Sequence, residues 1–432
     1  MKTEKLLYKI FNDAENIILD YAWPKNCTFS QACEYGYLEK ITKGNFLKNT
    51  STSDEFKSVF GFKDHSIKFI NNDCAGGLYY ACKGGQLNIA NFMIKQGNLE
   101  KGDRCFDRAL EAACFGGHLE ACQLMIKYGA DDYLRGLECA CLGSHLEICK
   151  LMINLGTEMK YSWAFGFACG NNDRDIIDLL IENGANDFGS GLSYACKGGH
   201  KSIVNLIIKL EKESERIYKF WECREPIFNK GLTSACGYGH RDLVNLMIEH
   251  GAYNFDKGLY AACSGGQKDI AELMIKKLNG RTNMNGRYIF NDALQSACHN
   301  GHLDLAELMI ENGAYQFNWG LTVACIDGHH DIINRMIDLG ADNFNGALKC
   351  ACRRGHKDIV NLMIEHGAND FNGGLECACF EGDLDLVELM IECGVTIEGL
   401  NKGAKSAFGT CHNNLVRLMV KHGAEDKPHY IK

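Results

Sequence analysis

Asn372-Gly373-Gly374-Leu375-Glu376-Cys377-Ala378-Cys379-Phe380-Glu381-Gly382-Asp383-Leu384-Asp385-Leu386-Val387-Glu388-Leu389-Met390-Ile391-Glu392-Cys393-Gly394 reads as two short helices and the turn between them. Leu375, Ala378 and Cys379 fall at i, i+3 and i+4 and form one apolar stripe, with Glu376 and Phe380 beside it. Asn372 is a capping residue type, so the spacing predicts a helix opening at Gly374-Leu375 and ending at Gly382. Asp383 is placed to cap a second helix, in which Leu386, Val387, Leu389, Met390 and Ile391 cover more than half the circumference. A stripe that wide is buried on two sides. Gly394 supplies the left-handed turn that stops it.

The same pattern recurs along the chain. Leu-Met-Ile begins at Leu124, Leu151, Leu246, Leu273, Leu308, Leu362 and Leu389, and Ala-Cys precedes it, with cysteines such as Cys298, Cys325, Cys352 and Cys379. The last three stand 27 residues apart. One copy alone cannot bury both faces, whereas stacked copies share a continuous core, so the expected fold is all-α, a helical solenoid of about 12 to 13 helix-turn-helix repeats. The expected organisation is a capping helix in residues 1–27, from about Lys5 to Tyr21, then degenerate repeats in 28–76 and an array over 77–424. Long junctions interrupt the array at 98–104, 209–226 and 279–289, and 425–432 form a tail.

Composition narrows the function. The chain has 432 residues and a formal charge of −9, and no basic block stands out that would track a phosphate backbone, so nucleic acid is not an expected partner. No apolar run approaches the roughly 18 residues of a membrane span, and no secretion signal is evident. Most of the 23 cysteines sit singly at a fixed helical position, which implies free thiols in a reducing compartment and, by default, the cytoplasm.

The consensus Ala-Cys-x-Gly-Gly-His-x-x-Ile-Val-x-Leu-Met-Ile-x-x-Gly-Ala resembles the ankyrin repeat, and Gly355-His356-Lys357-Asp358-Ile359-Val360 through Gly367-Ala368 matches it closely. It looks still more like the ankyrin-repeat proteins of giant amoeba-infecting DNA viruses (mimivirus-like), which share the Gly-Leu-x-x-Ala-Cys opening. The resemblance covers roughly residues 77 to 424, with a degenerate copy around Phe29 to Gly36. Two departures matter. Gly-Leu, as in Gly320-Leu321, replaces the family's Thr-Pro-Leu-His, and the missing half-dozen residues fall where the family's β-hairpin finger belongs. Most fingers are therefore expected to be tight loops, with Phe188, Phe255, Phe317, Phe344 or Phe371 packed at the base.

Histidine recurs at His118, His145, His200, His240, His302, His329, His356 and His412. Equivalent positions in stacked pairs lie roughly 8 to 10 Å apart, too far to share one ion, so a hydrogen bond to the neighbouring copy is expected instead. Cys139/Cys141, Cys350/Cys352 and Cys377/Cys379 diverge on their helices and cannot chelate through one face. No nucleophile, base and orienter converge, so no enzymatic activity, metal or cofactor is expected.

The resemblance implies a monomeric protein-binding scaffold whose concave face is lined by residues just after each Ala pair. Carried across, these are Lys83, Phe115, Leu142, Lys197, Tyr238, His299, Ile326, Arg353, Arg354, Phe380 and Glu381, with Tyr79, Glu111 and Tyr260 as outlying additions. Tyr218, Phe220 and Trp221 in the longest junction are further candidates. Mixed aromatic, arginine and aliphatic side chains are the composition of interface anchors. The expected partner is a host or viral protein. The alternative reading is a substrate adaptor for a host ubiquitin ligase, which would need a ligase-binding module in addition to the array.

Overall fold

A computed structural model of the chain describes residues 34, 72–97, 99–156, 161–217, 227–278 and 286–425. The capping helix expected in 1–27, nearly all of 28–71 and residues 426–432 lie outside the described residues. The chain divides into two units, Met1–Ile217 and Tyr218–Lys432. The described residues form 24 helices and no strand.

In the first unit the pairs are α1 (Asn72–Lys83) with α2 (Leu87–Gln96), α3 (Arg104–Gly116) with α4 (Leu119–Lys127), and α5 (Tyr133–Leu142) with α6 (Leu146–Asn154). They continue as α7 (Ser162–Asn171) with α8 (Arg174–Glu182) and α9 (Phe188–Gly198) with α10 (Lys201–Ile217). The second unit holds α11 (Ile227–Tyr238) with α12 (Arg241–Glu249), α13 (Phe255–Ser264) with α14 (Lys268–Leu278), and α15 (Gly286–His299) with α16 (Leu303–Glu311). After these come α17 (Phe317–Asp327) with α18 (His330–Asp338), α19 (Phe344–Arg354) with α20 (Lys357–Glu365), α21 (Phe371–Glu381) with α22 (Leu384–Gly394), and α23 (Ile397–Gly409) with α24 (Asn413–Lys421). Within each unit every first helix packs on the first helices of adjacent pairs and on its own second helix.

Second helices such as α12 have 9 residues, too few to persist alone in water, where about 12–15 are marginal. Packing holds them. In α22 the side chains of Leu386, Val387 and Met390 are wholly buried, as are Leu375, Ala378 and Cys379 of α21. Each such large apolar side chain contributes about 1.5–3 kcal/mol. The glycine of Gly-Leu explains the departure from the family opening: a Cβ on Gly374 would stand 2.7 Å from Met390 Sδ and 3.3 Å from Cys352 Sγ. Gly136, Gly258 and Gly320 meet the same kind of methionine and cysteine pair. Gly382, at φ 86°, ends α21 in the left-handed conformation, and a Cβ there would also strike the His412 ring at 2.5 Å.

Three expectations are corrected. First, α21 opens at Phe371, capped by Asp370, whose Oδ1 accepts the Gly373 amide at 3.0 Å. Asn372 does not cap that helix; its Oδ1 accepts the Thr396 amide at 2.9 Å. Second, the phenylalanines expected at loop bases stand there as helical residues, since Phe188, Phe255, Phe317, Phe344 and Phe371 each begin a first helix directly after its loop. Third, the charged start of junction 209–226 is helical, since α10 runs through Ile217. Asp383 does cap α22 as read, accepting the Leu386 amide at 3.1 Å.

Candidate partner-binding surface

Each first helix has a buried stripe and an opposite exposed one, and the proposed contact residues follow the buried cysteine of the Ala-Cys pair. Phe115, Leu142, Lys197, Tyr238, His299, Arg353, Arg354, Phe380 and Glu381 are exposed, whereas Lys83 and Ile326 are half-buried. Lys83 pairs with Glu34 at 2.9 Å, and His299 Nδ1 lies 2.7 Å from Asp327 Oδ2. Arg353 also donates to Cys377 Sγ at 3.8 Å. Of the outlying additions Tyr260 is exposed, Glu111 is half-buried with its carboxyl pushed up by burial, and Tyr79 is buried. Tyr79 thus leaves the surface set, because its ring packs edge-on against Tyr80. Tyr218, Phe220 and Trp221 lie outside the described residues.

Histidine fixes this surface from behind. Nε2 of His145, His200, His329 and His356 meets the backbone carbonyls of Phe115, Gly170, His299 and Ile326 at 3.0, 2.8, 3.1 and 3.1 Å. Each carbonyl belongs to the residue just after a core cysteine, so every such ring braces a contact position of the preceding pair. These are the cross-copy bonds read from the recurring histidine. Among the described residues no group of three or more His, Cys, Asp or Glu is placed to hold a metal ion.

The thiols are structural fillers. Among the described residues no cysteine is in a disulfide, and burial pushes Cys196, Cys298, Cys352 and Cys379 up to about 12. Cys114 and Cys122 place their sulfurs 3.6 Å apart, as do Cys141 and Cys149.

Two sets of residues escaped the sequence reading. The first is an asparagine ladder: Oδ1 of Asn318 accepts the Asp342 and Asn343 amides at 2.7 and 2.9 Å, and Oδ1 of Asn345 accepts those of Asn369 and Asp370 at the same distances. Asn229, Asn291, Asn372 and Asn401 make equivalent bonds to a loop 24 residues ahead. In the first unit Asp107 does so with Asp131 and Asp132. The ladder lets a 27-residue repeat dispense with a finger, since loop amides that would pair in a hairpin find a side-chain acceptor instead. Recurring Phe-Asn at the start of the first helix was the available signal.

The second set is Trp163 and Trp319, each six residues before the core cysteine and 58% and 55% exposed. They stand on the exposed stripe, two turns from Gly170 and Ile326. Trp163 lies 6.2 Å from Phe167 and 6.5 Å from Tyr194, which themselves meet edge-on at 5.6 Å.

The model of the family described as ankyrin repeats matches residues 232–319 and 321–402. Residues 232–319 and 321–402 carry ankyrin repeats. No curated protein matches it. Ankyrin repeats are generally modules of protein–protein interaction, and the family is typically non-enzymatic. Here the ankyrin pairs of the second unit keep the two-helix core while replacing the finger with the asparagine-held loop. Among the described residues no helix is long and apolar enough to cross a membrane.

Proposed function

We propose that the chain is a non-enzymatic, monomeric scaffold that holds a host or viral protein against the exposed stripe of its first helices. The observation that carries this reading is the register itself. Positions that face the core are Leu, Ala and Cys in all but two first helices, where Phe165 and the Ala404, Ala407 and Phe408 set replace them, while those just after the cysteine change from Phe115 and Leu142 to Lys197, Tyr238, His299, Arg353 and Phe380. A fixed frame with varied exposed aromatic and arginine side chains supplies anchors for a particular partner. Small residues and glycines on the first helices allow close stacking there. Trp163 and Trp319 join the contact set, and the bracing histidines keep it preorganised, which lowers the ordering cost of binding. The likeness to giant-virus repeat proteins supports a host cell as the setting, and the free thiols support its cytoplasm.

Proximity labelling in cells expressing the chain tests the reading. A variant carrying Trp319→Ala, Arg353→Ala and Phe380→Ala should lose a discrete group of labelled neighbours at unchanged helical content. An unchanged neighbour set, with loss instead from exposed second-helix substitutions, would reject the first-helix stripe.

A further inference from the structure

Most core cysteines fill space singly, but two of them face a second thiol. The second helix of each pair has a core position eight residues after the core cysteine, occupied elsewhere by aliphatic residues such as Ala90, Ile177, Val244, Ala271, Ile333 and Val360, all wholly buried. In two consecutive copies of the first unit it is Cys122 on α4 and Cys149 on α6. Alanine and valine bracket cysteine in volume and fill this place in other copies, so packing alone does not call for sulfur here.

The geometry brings each added thiol against the core cysteine of its own pair. The Sγ atoms stand 3.6 Å apart in Cys114/Cys122 and again in Cys141/Cys149, within reach of an S–H···S bond, and all four residues are wholly buried. Equal distances in two copies make the contact a product of the register. A sulfur–sulfur bond of about 2.05 Å asks each sulfur to move by about 0.8 Å, which side-chain rotation and a small shift of two short helices supply.

The surroundings decide how such a bond would form and last. The hydrogen bond with Cys122, then burial, pushes the Cys114 thiol up, and Cys149 and burial do the same for Cys141. A protonated, enclosed thiol is unreactive, so oxidation proceeds when a helix pair opens, and in a linear array one pair opens without the whole. Once the pair closes, the same packing shields the bond from reducing thiols.

We propose that Cys114/Cys122 and Cys141/Cys149 are oxidative modification sites, in which hydrogen peroxide converts each thiol pair to a disulfide that staples its own helix pair. The thiolate of one cysteine attacks a peroxide oxygen, the O–O bond breaks, and a sulfenic acid forms while the departing hydroxide takes that thiol's proton and leaves as water. The second sulfur attacks the sulfenyl sulfur, the S–O bond breaks, and the second hydroxide takes the second proton. Each sulfur gives up one electron and each peroxide oxygen gains one, so two thiols and one peroxide yield one disulfide and two waters. The staples act directly on the proposed contact surface, because Phe115 and Leu142 follow Cys114 and Cys141 in the chain, and His145 already braces the Phe115 carbonyl. The sites stand on sulfur geometry and do not depend on the scaffold reading.

The test exposes the full chain overnight to hydrogen peroxide, alkylates the remaining thiols, and maps unreduced peptides by mass spectrometry while Tm is followed in parallel. Linked peptides Cys114–Cys122 and Cys141–Cys149 are expected. Closing two short loops should raise Tm by at least about 5 °C, reversed by dithiothreitol. Cys122→Ala combined with Cys149→Ala keeps every other thiol and places alanine where Ala90 and Ala271 already stand in folded copies, so it should fold, lose both links and show no Tm gain. The proposal is overturned if either link fails to form, if Cys82, the other thiol beside Cys122, is joined to it in place of Cys114, if the four cysteines end only as sulfinic acids, or if the oxidised double variant gains Tm as the parent does.

Discussion

The two units build the same helix pair and secure it differently. In the second unit a repeated asparagine ties each first helix to the following loop, from Asn229 and Asn291 through Asn401. The described part of the first unit has one such rung, at Asp107, and adds bulky contacts to its histidine braces. Sulfur faces sulfur at Cys114/Cys122 and Cys141/Cys149, and Phe165 meets Phe188 at 6.2 Å beneath the Trp163 cluster. A regular polar bond permits a regular period, whereas volume filling tolerates irregular loops. The match to the ankyrin family accordingly falls in the second unit.

Substitutions can break or sharpen this contrast. The largest effect is expected in the first unit, where Phe165→Ala removes a fully buried ring and should lower stability by about 3–5 kcal/mol in urea denaturation. Asn318→Ala in the second unit leaves the amides of Asp342 and Asn343 without their acceptor and should cost about 1–3 kcal/mol. A loss as large as that of Phe165→Ala would mean that the ladder, not the core, dominates that unit. Cys411 occupies φ 63° at a turn where other copies carry glycine, so Cys411→Gly should stabilise by about 0.5–1 kcal/mol. Asn172→Gly, at φ 64° in the first unit, should change little, because asparagine tolerates that conformation.

The smallest effect concerns acid. The Gly373 amide and the Lys349 ammonium hold the Asp370 carboxyl below its ordinary 3.8. A carboxylate depressed in the folded state stabilises above its unfolded value, and that contribution fades as pH falls through the folded one. Asp370→Asn keeps the cap but drops the charge, so it should flatten the acid limb of a stability-against-pH curve below about pH 4, with at most about half a kcal/mol lost at neutral pH. An acid limb identical to that of the parent would show that the ion pair contributes nothing.

The helix pairs, the filler cysteines and the histidine braces were legible because each follows from a local period or a repeated residue type. Leu375, Ala378 and Cys379 announce their burial within a single turn. The ladder was not legible in the same way. Asn372 satisfies every local criterion of a cap, and only the fold shows that its partner is Thr396 of the next loop rather than its own helix. Trp319 was missed because the surface was taken from positions after the cysteine, although helical geometry places the residue two turns earlier on the same stripe. Tyr79 erred the other way, since an aromatic beside the core can tuck inward where a charged residue cannot.

The bonds of the second unit reach one pair forward or back, 24 to 36 residues along the chain. Pulled from its ends, that unit should therefore peel rather than burst. Each detached 27-residue pair would release about 80–90 Å of slack before the next one bears the load. A stack bonded in this manner behaves as a stepwise tether, and anything it holds across several pairs would be let go one grip at a time.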